Sequence, residues 1–138
     1  MHTELVGRTR PSIALIDTEA EILADLAVAS LRRSSLSAAL LLQELDRADI
    51  YYKSCLPPHV VTMMSHVSFA DERTGEKREV QLVYPGDANT EQHRISVLTP
   101  IGAALIGMPR GASIDWPNRA GEYRRLRVLE VKQPPVQA

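Results

Sequence analysis

Residues 95–107 read ISVLTPIGAALIG, a stretch that contains the end of a strand pattern, a helix start and a helix stop. Thr99 suits the N-cap of a helix, because its hydroxyl can accept a hydrogen bond from a free amide of the first turn. Pro100 suits the first helical position, where its missing amide would be unpaired anyway. Gly107 can end the helix in a left-handed conformation. We therefore predict a short apolar helix over Pro100–Ile106.

Alternating apolar residues on both sides of this stretch predict strands. The predicted strands are His59–Phe69, Arg78–Tyr84, Arg94–Leu98, Ala112–Trp116 and Glu122–Lys132. The last strand changes parity, since Leu126 and Val128 share one face whereas Leu129 and Val131 share the other. Either a β-bulge or two covered faces would explain the change. Strands grouped around one short helix predict an α+β fold with a mainly antiparallel sheet.

The chain before this region has helical periodicity. Thr18–Glu21 fits a capping box at the start of a first helix of about 12 residues. After a polar break at residues 32–35, a second helix of about 16 residues is predicted from the N-cap Ser37 to about Tyr52. Two such helices joined by a short turn predict an antiparallel hairpin with arms of about 18 and 24 Å.

Breaks in the pattern divide the chain into three predicted parts. Residues 1–12 have no periodicity, which predicts a flexible tail. Leu56-Pro57-Pro58 ends the helical pattern, because proline lacks an amide donor and favours extended geometry in the residue before it. We therefore predict the helical hairpin at residues 13–56 and a sheet domain at residues 57–138.

The overall composition argues against several classes of protein. The formal net charge of −1 does not suit a protein whose main task is binding nucleic-acid phosphates. Cys55 is the only cysteine, so an intramolecular disulfide or a cysteine-based zinc site cannot form. The first twelve residues lack the apolar region of a signal peptide, and the most apolar stretch, Leu36–Leu45, is too short to cross a bilayer. We expect a cytoplasmic protein.

Side chains that could perform chemistry are scattered along the chain. His59, His66 and His93 lack the spacing of metal ligands. Cys55 has no histidine beside it that could activate a nucleophile. A Gly-rich phosphate loop is also missing from the sequence. We expect no catalytic residue, no metal site, no cofactor and no enzymatic activity.

The last predicted strand and the turn before it are basic. The cations there are Arg119, Arg124, Arg125, Arg127 and Lys132, against the acidic residues Glu122 and Glu130. One interpretation is a secondary basic face that contacts an acidic partner or nucleic acid. The other, which we favour, is a solvated outer face of a strand.

Two parts of the sequence resemble a known family. Residues 95–107 are similar to the signature of the C-terminal domain of Gre-type transcription elongation factors, in which a strand leads through a Ser-Pro or similar pair into an Ala- and Leu-rich helix closed by glycine. Residues 44–48 and 58–63 resemble the Rnk group, named as regulators of nucleoside diphosphate kinase. The likeness runs from about Leu36 to Lys132.

The resemblance implies an FKBP-like C-terminal domain and an N-terminal antiparallel coiled coil. It also implies docking of the C-terminal domain on core RNA polymerase near the secondary channel. By position in the motif, the docking residues would be Leu98, Thr99 and Pro100, with Ile101 partly structural. The chain would act as a monomer and would meet nucleic acid only indirectly, through the polymerase.

The sequence departs from the Gre pattern at the predicted hairpin tip. Gre factors carry acidic residues there, which help hold a catalytic magnesium ion, whereas this chain has Arg32 and Arg33. Magnesium prefers oxygen ligands, and two guanidinium groups would repel it. We therefore expect competition with Gre-type factors without stimulation of transcript cleavage.

Two other functions compete with this interpretation. FKBP-like domains include prolyl isomerases, but that activity needs a pocket lined with several aromatic residues. Here Phe69, Tyr84, Trp116 and Tyr123 are spread thinly along the strands. The second alternative is a stand-alone protein-interaction module that regulates nucleoside diphosphate kinase by direct contact.

Overall fold

The structure, a computed structural model, describes residues 11–33, 35–117 and 120–134. Its strands and helices follow the order β1 (Ala14–Ile16), α1 (Asp17–Leu31), α2 (Leu36–Arg47), β2 (Asp49–Tyr51), β3 (His66–Asp71), β4 (Lys77–Val83), β5 (Arg94–Ser96), α3 (Pro100–Leu105), β6 (Ser113–Pro117) and β7 (Tyr123–Lys132). Short 3-10 turns lie at Lys53–Cys55, Pro85–Asp87 and Thr90–Gln92. The predicted α+β fold, with a helical hairpin before a sheet and one short helix, is confirmed.

Five strands form one sheet in the order β5-β4-β3-β7-β6. The pairs β3–β4, β3–β7 and β6–β7 are antiparallel, whereas β4–β5 is parallel. The sheet is therefore mainly antiparallel, as predicted. The parallel pair brings the start of β5 beside the end of β4, with Arg94 opposite Gln81.

The parity change in β7 comes from a β-bulge. Ser68 of β3 lies opposite Glu130, but its neighbour Phe69 lies opposite Val128, which leaves Leu129 as the extra residue. The extra residue lets Val128 and Val131 both face the core although they are three positions apart. Of the two explanations considered from the sequence, the bulge is the observed one.

Two short strands, β1 and β2, were not predicted. They pair in parallel, with Ala14 opposite Asp49, and the Asp49 amide donates a 2.9 Å hydrogen bond to the Ile13 carbonyl. This pairing ends α2 at Arg47, so the prediction that the helix continues to about Tyr52 is wrong. The Arg47 side chain also donates a hydrogen bond to the Pro11 carbonyl. Residues 1–10 of the predicted tail lie outside the described residues.

Both helix starts in the hairpin differ from the predictions. The chain enters α1 directly from β1, so Ile16 is the N-cap and the predicted capping box at Thr18 does not form. Ser35 rather than Ser37 caps α2, by accepting a 3.1 Å hydrogen bond from the Ala38 amide. The first helix has 15 residues and the second 12, which reverses the predicted order of lengths.

The segment before β3 is a loop, although an alternating pattern predicted a strand from His59. His59 and Met64 adopt left-handed backbone angles, with φ of 61° and 69°, which a continuous strand cannot contain. Within this loop the Thr62 amide donates a 2.9 Å hydrogen bond to the Ser65 hydroxyl. The regular strand therefore begins only at His66.

One hydrophobic core extends under the hairpin and the sheet. Leu23 and Leu41 of the hairpin belong to the same buried cluster as Leu105 and Ile114. Gly107, with φ of 78°, follows α3 in the predicted left-handed conformation, and its amide donates a 2.8 Å hydrogen bond to the Val61 carbonyl. Among the described helices, none has the length and apolar character needed to cross a membrane.

Candidate protein-binding site

The loop between β5 and α3 is held by hydrogen bonds from Thr99. The Thr99 hydroxyl donates a 2.7 Å hydrogen bond to the Ser96 carbonyl and accepts a 3.1 Å hydrogen bond from the Gly102 amide. The Thr99 amide donates to the same Ser96 carbonyl at 3.1 Å. The predicted N-cap role of Thr99 is therefore confirmed, and its hydroxyl already has a donor and an acceptor within the loop.

The four predicted docking residues differ in exposure. Leu98, Thr99 and Ile101 are half-buried, whereas Pro100 is buried. Leu98 and Ile101 pack one side against the core and leave the rest accessible. Pro100 shapes the start of α3 and offers little free surface of its own. The accessible apolar part of the predicted site is therefore Leu98 and Ile101.

A cleft of about 590 Å³ opens beside this loop, and we call it the α3 cleft. Its lining residues are Arg78, Ala88, Thr90, Arg94, Ile95, Ser96, Thr99, Pro100, Ile101 and Ala120. β4 supplies Arg78, β5 supplies Arg94, and the start of α3 supplies Pro100 and Ile101. Arg78 and Arg94 lie on neighbouring strands, and both side chains line the cleft beside the loop.

A smaller pocket of about 220 Å³ adjoins the α3 cleft and shares Arg78 and Ile101 with it. Phe69 and Trp116, which line it, are each 2% exposed. The other two candidate aromatic residues, Tyr84 and Tyr123, line neither cavity. Two aromatic side chains thus meet here, rather than the fuller aromatic lining expected of a prolyl isomerase.

The arginines of the predicted basic face on β7 lie on both faces of the strand, and each forms an ion pair with a carboxylate. Arg124 lies on the face of Leu126 and pairs with Asp71 at 3.0 Å. On the other face, Arg125 pairs with Asp115 at 2.9 Å and Arg127 with Glu72 at 3.0 Å. The hydrogen bond from Arg127 is the main cause that lowers the pKa of the Glu72 carboxyl.

These pairings lower the attraction of β7 for phosphates. Arg119, the remaining arginine of that predicted face, lies outside the described residues. The Arg124 Nε atom, which is buried, has no hydrogen-bond partner among the described residues. The geometry of the described arginines favours a paired strand surface over a free basic stripe.

At the tip of the hairpin, Arg32 and Arg33 are exposed. Ser34, between α1 and α2, lies outside the described residues. The nearest preceding carboxylate on α1 is Asp25, six residues before the helix end, which is about 9 Å along the axis. No group of three potential metal ligands occurs in the part of the chain that the structure describes.

The resemblance deduced from the sequence is confirmed by comparison with known proteins. Residues 56–133 match the family described as transcription elongation factor GreA/GreB, C-terminal, and this match includes β3 to β7 and the whole α3 cleft. The chain belongs to the GreA/GreB family.

Similar proteins extend the likeness beyond this domain. The regulator of nucleoside diphosphate kinase from Escherichia coli K12 is 37% identical over 131 residues, which cover 94% of this chain and 96% of the relative. Transcription elongation factor GreA from Azorhizobium caulinodans is 32% identical over 89 residues, 64% of this chain and 56% of the relative. The names of these relatives are those of a regulator and an elongation factor rather than catalysts.

A solved structure matches the arrangement of hairpin and sheet. The prokaryotic transcription elongation factor GreA/GreB from Nitrosomonas europaea is 37% identical and has a TM-score of 0.70. The match covers 90% of this chain and all of that structure. The short hairpin is thus part of the shared fold.

The charged residues of the α3 cleft could not be identified from the sequence. Arg78 and Arg94 lie in two strands whose patterns show only which residues are apolar. Their position on one cleft depends on the parallel β4–β5 pairing, for which neither strand carries a local signal.

Proposed function

We propose that this protein regulates transcription by binding core RNA polymerase at the surface that Gre-type factors use. It acts by occupying that surface and does not stimulate transcript cleavage. The observation that carries the proposal is the family match over residues 56–133, which includes the complete β5–α3 loop and its cleft.

The proposed docking contact consists of the half-buried Leu98 and Ile101, positioned by the Thr99 cap. A side chain that already packs on its own core loses less conformational freedom on binding than a free one. Pro100 lies between Leu98 and Ile101 in the sequence, is buried and begins α3. The binding loop is thus held in shape before it meets the polymerase.

The hairpin supports the proposal that the protein acts by occupying the polymerase surface and not by stimulating cleavage. Stimulation of cleavage in the proposed mechanism requires carboxylates that hold a second magnesium ion at the polymerase active centre. The tip carries Arg32 and Arg33, and the longer helix, α1, has 15 residues and extends about 22 Å. The positive charge of the tip and the short length of the helices suit a contact at the entrance of the polymerase channel.

A competition experiment tests the shared surface. The protein, labelled with a fluorophore at Cys55, which is exposed, is titrated with core RNA polymerase, and anisotropy is measured. We expect a dissociation constant in the micromolar range or tighter, about −8 kcal/mol or better. An unlabelled Gre factor is expected to displace the protein completely. Simultaneous binding of both factors would overturn the proposal.

A second candidate function is direct contact with nucleoside diphosphate kinase, and the name of the Escherichia coli relative, regulator of nucleoside diphosphate kinase, favours it. The same labelled protein can be titrated with purified kinase. Under the polymerase proposal, anisotropy does not rise with the kinase. Saturable kinase binding without polymerase binding would replace the first proposal with the second.

A further inference from the structure

We propose that Arg78 and Arg94 make the α3 cleft a receptor for an acidic segment of the polymerase surface. The segment would place carboxylates against the two guanidinium groups and an apolar side chain against Ile101. This inference rests on the proposed function and adds the chemistry of the partner and the residues that recognise it.

The charge of the cleft differs from that of the whole protein. Among the described residues that line it, Arg78 and Arg94 are the two cations, and carboxylates do not occur. The complete chain, by contrast, has a formal net charge of −1. The lining of the α3 cleft, which includes the predicted docking residues Thr99, Pro100 and Ile101, is thus positively charged although the whole chain is not.

Both arginines are available to a partner. Within the described residues, Arg78 and Arg94 form no ion pair, whereas Arg124, Arg125 and Arg127 each pair with a carboxylate. The Arg78 guanidinium lies 5.7 Å from the centre of the Phe69 ring, a cation–π distance that orients it without neutralising its charge. Guanidinium groups bind carboxylates through paired hydrogen bonds, so both sites suit acidic side chains.

The other polar groups of the loop are occupied. The Ser96 hydroxyl accepts a 2.9 Å hydrogen bond from the Leu98 amide, and the Thr99 hydroxyl is used in capping α3. Of the polar side chains that line the cleft, Arg78, Arg94 and Thr90 are left for recognition, and the two arginines are the charged ones. The apolar lining from Ile95 and Ile101 favours a peptide segment over a nucleic-acid backbone, whose phosphates need a wider basic surface.

Charge reversal separates this inference from a purely apolar contact. Binding of core polymerase is measured by anisotropy for the wild type, for Arg78→Glu, for Arg94→Glu and for the double variant. Each single reversal is expected to weaken binding about tenfold at low salt, and the double variant more. Raising the salt concentration is expected to narrow the difference from the wild type.

Lys132→Glu is the matched control. This substitution changes the net charge by the same amount as each arginine reversal. Lys132 is exposed and lies at the last position of β7, at the opposite end of the strand from Arg124 and outside the α3 cleft. The affinity of the Lys132→Glu variant for polymerase is expected to stay within about twofold of the wild-type value, because residue 132 lies outside the proposed contact. The neutral variants Arg78→Gln and Arg94→Gln, with unchanged melting curves, provide the test if a reversal impairs folding.

The outcomes distinguish this inference from the proposed function. If the wild type does not bind polymerase, the proposed function fails. If the wild type binds and the folded arginine variants bind equally well, only the acidic-segment inference is overturned. A duplex DNA or single-stranded RNA oligonucleotide serves as a further probe. Tight binding of either to the wild type, lost in the same variants, would overturn recognition of an acidic segment.

Discussion

A β carbon on Gly102 would lie 2.1 Å from the carbonyl oxygen of Ser96. It would also lie 2.9 Å from the Cα atom of Val97, so the obstruction is backbone rather than a movable side chain. The Ser96 carbonyl is the same atom that accepts hydrogen bonds from Thr99. Gly102 therefore allows the first turn of α3 to sit directly against the loop that we propose binds the polymerase.

Gly102→Ala is expected to lower the free energy of unfolding by about 1–3 kcal/mol, because the methyl group must displace the Ser96–Val97 backbone. Polymerase affinity is expected to fall with it, since the loop changes shape. Urea unfolding and anisotropy measure the two effects. Gly86→Ala is the control, because a β carbon there has no neighbour within 4 Å. Equal stability of the two variants would contradict the role assigned to Gly102.

Thr99→Val is expected to destabilise the protein by about 1 kcal/mol, because the cap on the Gly102 amide and the hydrogen bond to the Ser96 carbonyl are lost. Thr99→Ser keeps the hydroxyl and is expected to retain both stability and polymerase binding. Urea midpoints and titration with polymerase distinguish the variants. A Thr99→Val variant as stable as the wild type would show that the cap contributes nothing.

A pH-dependent contact joins the hairpin to the loop before β3. The Glu19 carboxylate accepts a 3.1 Å hydrogen bond from the Met63 amide. Burial raises the pKa of Glu19, although the Met63 amide and the charge of Lys53 oppose that shift. A raised pKa in the folded state means that the protonated form favours folding. This stabilisation is complete below the ordinary value of 4.5 and is lost as the pH rises through the folded-state pKa.

Glu19→Gln is therefore expected to be more stable than the wild type at neutral pH, since the amide remains uncharged and can still accept from Met63. The advantage is expected to disappear below pH 4.5, where the wild-type carboxyl is protonated. Urea unfolding across this pH range measures the difference. Glu21→Gln, at an exposed position of the same helix, is the control. A difference between the wild type and Glu19→Gln that does not change with pH would contradict the assignment.

Sequence patterns identified those elements whose signals are local. The Thr99 cap, Pro100 and Gly107 marked both ends of α3 nearly to the residue. In β7, the spacing of Leu126 and Val131 indicated an irregular strand, and the structure shows the bulge that causes it. Each of these signals depends on neighbouring residues alone.

Features that depend on distant partners could not be predicted. The strand β1 has three residues, all of them buried, so no alternation marks it, and its partner β2 lies 35 positions later. That pairing also explains why α2 ends early. The left-handed angles of His59 and Met64 broke an otherwise regular alternation. Pattern alone places side chains on a face and does not say which strand lies beside it.

In the candidate site, too, the residues with a local sequence signal were predicted, whereas those that depend on distant partners were not. Leu98 to Ile101 were proposed from a resemblance in one continuous stretch. Arg78 was missed because it lies beside this stretch only in the folded chain, and Arg94 was missed because it precedes the stretch that carries the resemblance. The arginines of β7 drew attention as a charge cluster, but their carboxylate partners come from β6 and from the end of β3 and the turn after it.

The hairpin tip tests whether charge alone prevents stimulation of cleavage. A variant with Arg32→Asp and Arg33→Glu is expected to remain inactive in transcript cleavage at saturating concentration, because an arm of about 22 Å is too short to carry the new carboxylates to the catalytic metal. Cleavage of a labelled transcript in backtracked complexes measures this. The binding of the variant to polymerase is checked in parallel. Stimulation of cleavage by this variant would show that the arm is long enough to reach the catalytic metal.

A transcript-cleavage assay tests whether this protein occupies the Gre surface of the polymerase without assisting catalysis. Backtracked elongation complexes are incubated with the wild-type protein alone, and then with a fixed amount of a Gre factor and rising amounts of this protein. We expect no cleavage above the intrinsic rate of the polymerase in the first case. In the second, Gre-stimulated cleavage should fall to that rate as this protein saturates the complex. Cleavage stimulated by this protein alone, or full Gre activity when this protein is saturating, would show that it does not act by occupying the Gre surface.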